Sequence, residues 1–239
     1  MITHWCPSSI LAKDEKPKKF CLIVLNQPIN HVDAFHRLWT NASLKFVADG
    51  GSNRLYDVFK HDQQLLSQGD LDSIRPEVRA YYESKNVKIT KINDQDSTDF
   101  MKCVALLKEK EKESGQTVFA TPALGGRFDQ TIASINLLYM LKNEIERRVI
   151  LVSDENLTML LDKGAHQIHC QLDLEGPTCG IMPIGFPAII STKGLKWNLD
   201  NVKCEFGGMV STSNHVDDEL VEIVTDSPII WTIEINLKQ

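Results

Sequence analysis

The chain has 239 residues, 42% of them hydrophobic and 24% charged, which excludes a disordered, collagenous or coiled-coil polypeptide and allows one large domain or two smaller ones. Twenty-six Lys and Arg against 32 Asp and Glu leave a net charge of −6, which argues against a nucleic-acid partner, because neutralising phosphates needs a basic excess. No apolar run approaches the ~20 residues that span a bilayer, and residues 1–19 lack the apolar centre of a signal peptide. A soluble cytoplasmic protein with no membrane partner is expected.

Residues 1–19 read as an N-terminal extension ending in Lys16, Lys18 and Lys19. Residues 20–25 (FCLIVL) form a continuous apolar run of buried-strand length, and further strands are expected at 44–48, 65–68, 87–91, 117–123 and 148–152. Helices are expected between them at 33–39, 52–59, 76–84, 98–113 and 129–143. The fourth is the best marked. Ser97 or Thr98 can cap it, Asp99 falls in its first turn, and Phe100, Val104 and Leu107 make an apolar stripe. Strands alternating with helices predict an α/β domain over 20–160, with a mostly parallel sheet covered by helices on both faces.

From Gly164 the pattern changes to short strands with frequent turns, at 167–172, 179–183, 188–191, 202–206, 220–225 and 229–235. An all-β sandwich or barrel-like domain over 164–239 follows. Charge divides at nearly the same place. Residues 1–150 hold 21 basic and 19 acidic side chains, whereas residues 151–239 hold 5 and 13. The six cysteines are scattered without a C-x-x-C pair, as expected of free, mostly structural thiols in a reducing compartment.

Ligands on parallel sheets bind beyond the carboxyl ends of the strands, so the residues that follow each strand are the place to look for chemistry. Four of the six expected strands of the first domain run into Asp49-Gly50-Gly51-Ser52-Asn53-Arg54, Gly69-Asp70-Leu71-Asp72-Ser73, Asp94-Gln95-Asp96-Ser97-Thr98-Asp99 and Gly125-Gly126-Arg127-Phe128-Asp129-Gln130. Glycine pairs before a helix let backbone N–H groups approach an anion, or simply make a turn. Asp70 and Asp72, one residue apart, can point the same way; with Asp99 they make a hard-oxygen set suited to Mg²⁺ on a substrate phosphate. Asp70 closing a turn and Asp72 capping a helix is the plainer alternative. Arg127 is the cation available to stabilise charge on a transferred phosphate. In the second domain Ser211-Thr212-Ser213-Asn214, Trp197 and Trp231 either line an organic ligand or, for the tryptophans, fill the core. His166 and His169, three apart in a strand, face opposite sides and read as structural or surface residues. P-loop, dinucleotide, H-E-x-x-H and G-x-S-x-G motifs are absent.

Six segments, D-G-G-S-N-R at 49–54, G-D-L-D-S at 69–73, D-Q-D-S-T-D at 94–99, G-G-R-F-D-Q at 125–130, G-L-K-W-N-L at 194–199 and S-T-S-N at 211–214, together resemble the eukaryotic thiamin pyrophosphokinases, in order from about residue 20 to 235. The resemblance implies a Rossmann-like nucleotide-binding domain, a C-terminal β-sandwich that binds thiamin, and a homodimer with composite active sites. It implies the Mg²⁺-dependent reaction ATP + thiamin → AMP + thiamin diphosphate. On that reading Asp70, Asp72 and Asp99 hold the metal and, with Arg127, act catalytically. Asp49, Gly50, Asn53, Arg54, Gly126, Arg127 and Asp129 bind ATP, and Gln95, Asp96, Thr98, Ser211, Asn214 and Trp231 bind thiamin. Asp96 and Asp99 are both open as the group that assists deprotonation of the thiamin hydroxyl. Two alternatives stand beside it: another Mg²⁺-dependent D-x-D transferase, which leaves the Asp-Gln-Asp-Ser-Thr-Asp segment and the β domain unexplained, and a non-catalytic binder, which would be expected to lack part of the acidic set.

Overall fold

The computed structural model describes residues 2–13, 18–59, 74–85, 87, 92, 96–110, 117–142 and 148–237. Among them the protein is mixed α/β, with thirteen strands and five α-helices. The chain divides into two compact units, one of Asp14–Asp154 and one of Met1–Lys13 with Glu155–Gln239. It begins in the latter, with β1 (Ile2–Trp5) and a short 3-10 turn at Pro7–Leu11.

The α/β unit contains β2 (Lys18–Val24), α1 (Val32–Asn41), β3 (Ala42–Val47), α2 (Gly51–Phe59), α3 (Pro76–Ser84), α4 (Asp99–Lys110), β4 (Thr117–Thr121), α5 (Phe128–Leu141) and β5 (Val149–Val152). The expected strand at 65–68 lies outside the described residues, as does that at 87–91 apart from Val87. The strands of this unit pair in parallel in the order β3-β2-β4-β5. Burial follows from composition, since Cys21, Leu22, Ile23 and Val24 have no exposed surface and a parallel strand covered on both faces accepts only such a run.

Helices complete the core through their apolar stripes. Phe100, Val104 and Leu107 of α4 are buried, and Phe35 of α1 stacks on Trp39 at 5.9 Å and on Phe59 of α2 at 5.3 Å between ring centres. Register then levels the strand ends. Val24 lies opposite both Val47 and Thr121, and Ala120 lies opposite Leu151. The segments that follow all four strands therefore emerge on one rim.

The other unit contains β6 (Asn156–Leu161), β7 (Gly164–His169), β8 (Glu175–Met182), β9 (Ala188–Lys193), β10 (Val202–Cys204), β11 (Ser211–His215), β12 (Leu220–Thr225) and β13 (Ile229–Ile235). Five strands pair in the order β1-β7-β12-β9-β10, and β11, β8, β13 and β6 pair in that order. Every described pairing here is antiparallel except β1 with β7, which aligns Ile2 with Ala165 and Trp5 with Ile168. Residues 2–5, inside the expected N-terminal extension, thus form a strand. Two side chains fasten the segment: Trp5 Nε1 donates to His166 Nδ1 at 3.1 Å, and Ser8 Oγ donates to Glu175 Oε1 at 2.8 Å. The polar cluster 211–214 is also a strand, and β6 precedes the expected start of the β domain. No described helix is long and apolar enough to cross a membrane.

Candidate active site

The rim of the α/β unit carries a cavity of about 460 Å³. Four chain segments line it: Leu25, Asn26, Gln27 and Pro28 after β2; Asp49 and Arg54 around the start of α2; Thr98, Asp99 and Phe100 at the start of α4; and Gly126, Arg127, Gln130, Ala133 and Ser134 at the start of α5.

The first glycine turn is tight because of what packs beneath it. A Cβ on Gly51 would lie 2.9 Å from the carbonyl oxygen of Val24 and 3.0 Å from that of Leu25, so only glycine lets α2 begin this close to β2. Gly51 N–H donates to Ala48 O at 2.7 Å, whereas Gly50 N–H has no partner among the described residues. Asp49, nine-tenths buried, takes a positive φ of 27°, a conformation uncommon for a residue with a side chain. Asn53, expected at the nucleotide, turns to α3 instead: its Oδ1 accepts from the Arg75 N–H at 3.0 Å, and it is not among the described lining residues.

At α4, Thr98 is the cap, with Oγ1 accepting from the Met101 N–H at 3.3 Å. Asp99 follows in the first turn, where the helix dipole favours a carboxylate. Its Oδ1 lies 3.6 Å from the ammonium of Lys102, a buried cation that the sequence motifs did not include. Asp96 falls in the bend before Thr98 and does not line the cavity.

At α5, Gly125 N–H donates to Thr131 Oγ1 at 3.1 Å, and Gly126 N–H is unpaired among the described residues. Arg127 occupies the N-cap position with its side chain three-quarters exposed. Asp129 grips it from two residues away, through Nε to Oδ1 at 3.1 Å and Nη2 to Oδ2 at 2.5 Å. The hydrogen bond from Arg127 holds the Asp129 carboxyl below its usual range, and Asp129 in turn raises the guanidinium. Asp129 orients Arg127 and does not itself line the cavity.

Asp70, Asp72 and Gln95 lie outside the described residues. Within the described set no group of three His, Cys, Asp or Glu is arranged to hold a metal. The donor chemistry of Asp99 nevertheless fits a hard cation, since a partly exposed carboxylate lining a cavity that also holds Arg54 and Arg127 is the ligand type Mg²⁺ takes.

In the β unit, the segments 194–199 and 211–214 form one hydrogen-bonded cluster. Asn214, buried, accepts at Oδ1 from the N–H groups of Trp197 (3.2 Å) and His215 (2.8 Å), and donates from Nδ2 to Trp197 O (2.9 Å) and Ser211 Oγ (3.2 Å). Asn198 and Thr192 extend the network to Leu195 and Leu199. Ser211 is buried as well. The two tryptophans divide. Trp231 on β13 is fully enclosed, between Met159 and Ile181 in register, and its indole N–H has no partner among the described residues. Trp197 is 54% exposed, with Lys196 Nζ 4.8 Å from its ring centre and the His215 ring at 5.5 Å. The open aromatic face therefore belongs to Trp197, and Trp231 fills the core. His166 is likewise buried and His169 exposed, as three-residue spacing on a strand requires.

Asn26, Gln27 and Ser134 are absent from the sequence reading, and Gln130 appears there only as the end of the 125–130 segment. Gln130 and Ser134 are four apart and share a helix face, and Asn26-Gln27 follows the first strand, so the strand-end rule applied to β2 would have found them.

Comparison with known proteins agrees with this layout. Residues 35–151 match the thiamin pyrophosphokinase catalytic domain, and residues 165–230 match the thiamin pyrophosphokinase vitamin B1 binding domain. A thiamine pyrophosphokinase 3 of Oryza sativa subsp. japonica is 42% identical over 90% of this chain and 87% of that protein. A thiamine pyrophosphokinase 1 of Arabidopsis thaliana is 40% identical over 91% and 86%. The solved structure of thiamin pyrophosphokinase from Candida albicans superposes with a TM-score of 0.85 at 29% identity, covering 98% of this chain and 93% of that one. The chain belongs to the thiamin pyrophosphokinase family of enzymes.

Proposed function

We propose that the cavity of the α/β unit holds the triphosphate of ATP while the hydroxyl of thiamin attacks the β-phosphorus, giving thiamin diphosphate and AMP. The observation that carries this is the lining itself: Arg54, Gly126 and Arg127 line one cavity of about 460 Å³, Gly50 adjoins its lining residue Asp49, and the Gly50 and Gly126 N–H groups stay unpaired among the described residues. Phosphoryl transfer asks little covalent chemistry of a protein, so positioning and charge neutralisation dominate. Arg127, preoriented by Asp129, donates to an equatorial phosphate oxygen as charge moves toward the AMP leaving group. Arg54 does the same from the α2 side, and the N-termini of α2 and α5 add their dipoles.

Asp99, with Asp70 and Asp72, would hold Mg²⁺, which when bound neutralises charge on the phosphates. Asp96 or Asp99 takes the hydroxyl proton. Gln95, Asp96 and Thr98 on the α/β unit, with Ser211, Asn214 and Trp231 on the β unit, are the proposed thiamin set, the last two acting from the interior by holding the strands and the Trp197 loop in place. A homodimer and a cytoplasmic location belong to the same reading. Incubating the protein with ATP, Mg²⁺ and thiamin and separating the products tests it: equimolar AMP and thiamin diphosphate are expected, and ADP in place of AMP would overturn the pyrophosphoryl assignment.

A further inference from the structure

The loop after β2 is the plank on which the cavity rests. Asn26 and Gln27 sit between the two glycine turns. The amide of Asn26 packs so closely on the first that a Cβ on Gly50 would fall 2.3 Å from its Nδ2, and Gln27 Oε1 would lie 3.4 Å from a Cβ on Gly126. Asn26 Oδ1 also accepts from Arg54 Nε at 3.3 Å, which ties the amide to the arginine and leaves Nδ2 as its donor group. Asn26 and Arg54 both line the cavity, and Asn26 packs on Gly50 beside them.

Within the loop Gln27 N–H donates to Leu25 O at 2.9 Å, and its far end is held from elsewhere in the chain. Asp154, just beyond β5, accepts from the Asn30 N–H at 3.2 Å and the His31 N–H at 3.1 Å through Oδ1, and from Asn30 Nδ2 at 2.6 Å through Oδ2. One carboxylate therefore takes three hydrogen bonds from a loop 124 residues away in sequence, reaching past the end of β4, which lies between β2 and β5. Hydrogen bonds to a carboxylate are among the stronger ones in proteins, and His31, the last residue they fix, caps α1 by accepting from the Ala34 N–H at 3.3 Å. The loop is thereby clamped at its α1 end, while Leu25 N–H donating to Thr121 O at 2.9 Å fixes its β2 end.

We propose that Asp154 is a positioning residue for nucleotide binding, acting through the 26–31 loop to hold the Asn26 amide beside Gly50 and Arg54 as a donor to an ATP phosphate oxygen. This rests on the nucleotide assignment of the cavity, and the test separates the two. Affinity for a non-hydrolysable ATP analogue, the Michaelis constants for ATP and thiamin, and the melting temperature are measured on the full-length protein and its variants.

Asp154→Ala should weaken analogue binding and raise the ATP constant by roughly 5- to 30-fold, the scale of one or two polar contacts, with the thiamin constant within about twofold. Combining it with Asn26→Ala should cost no more than the worse single variant, because both remove the same contact. Asp154→Asn, the milder variant, keeps an acceptor for the two backbone N–H groups but sets an amide against the Asn30 amide. Adding Asn30→Asp restores a donor–acceptor pair and should recover most of the affinity. A merely structural Asp154 would lower the melting temperature with both constants unmoved or moved together, would add to Asn26→Ala, and would show no recovery in the exchanged pair; any of these overturns the proposal. Wild-type protein that fails to bind the analogue would overturn the nucleotide reading itself and this proposal with it.

Discussion

The two units use polar side chains in opposite ways. Around the α/β rim, Asp49 and Lys102 are buried, but other charged groups stand in or beside open space: Arg127 is three-quarters exposed, Asp99 is partly exposed, and Arg54 lines the cavity. In the β unit the distinctive polar residues turn inward. Asn214, Ser211, Thr192 and Glu175 are all buried and bonded mainly to their own unit's loops and strands. A motif residue in the first unit is therefore a candidate for contact with ligand, while one in the second is more often the brace that shapes a loop. Substitution should separate the two kinds by what it damages.

The largest effect is expected at the rim. Arg127→Ala should cut turnover by roughly 100-fold or more, the scale of losing one preorganised electrostatic donor. The melting temperature should stay within about a degree, since an exposed side chain contributes little to stability. A loss of stability with turnover intact would reverse the comparison for this residue.

Asn214→Ala is the matching cut in the β unit. It strands two N–H groups and a carbonyl that were paired, at about 3 kcal/mol in total, and the melting temperature should fall by roughly 6 to 12 °C for a chain of this size. Turnover of the protein that remains folded should drop far less than in Arg127→Ala. Melting curves and activity on one preparation decide it.

Glu175 sharpens the contrast through pH. Burial pushes its carboxyl up from 4.5 to about 7, against the opposing hydrogen bonds from Ser8 and the Gln171 N–H, and its Oε2 has no partner among the described residues. A raised carboxyl means the folded state binds its proton more tightly than the unfolded chain does. Stability associated with this group is therefore full below about 4.5, declines as pH rises toward 7, and is lost above that. Glu175→Gln keeps an acceptor for Ser8 without the charge, so it should be more stable than the parent at pH 8 by roughly 3 kcal/mol, with a higher melting temperature, and nearly level with it at pH 4. Equal melting temperatures at pH 8 would mean that the ionised carboxylate is accommodated.

Two smaller cuts fall within the α/β unit. Gly51→Ala forces a methyl onto the Val24 and Leu25 carbonyls and should cost about 1–2 kcal/mol, seen in denaturant midpoints. Arg79→Ala removes an exposed Arg79–Glu83 pair on α3, 2.8 Å apart, and should change stability by no more than about 0.5 kcal/mol. A large effect there would show that charges away from the rim matter more than their exposure suggests.

Much of this architecture is local and was legible as such. An apolar run of strand length such as 20–25 marks a buried strand, and the stripe of Phe100, Val104 and Leu107 marks the inner face of a helix, as the structure has them. Hydrophobic periodicity records burial one turn or one pleat at a time. Strand-end placement then marked out the Asp49, Thr98–Asp99 and Gly126–Arg127 segments, because a parallel sheet has one carboxyl edge. The four-residue β1 carried no such signal, since its partners on β7 are 163 residues away and only pairing makes Ile2–Trp5 a strand.

What tertiary structure decided was direction and partnership. Asn53 and Arg54 are neighbours in sequence, yet one caps the approach to α3 and the other faces the cavity, because a helix turns successive side chains apart by about 100°. Trp197 and Trp231 are the same residue type in one domain, and only the face and register of each segment settled which is exposed and which enclosed. Asp154 has no meaning as a motif; its three hydrogen bonds exist because register levels the ends of β2, β4 and β5. Composition and periodicity depend on each residue's affinity for water, which the sequence states outright. Which two distant groups meet depends on strand order and register, and those emerge only when the whole sheet has formed.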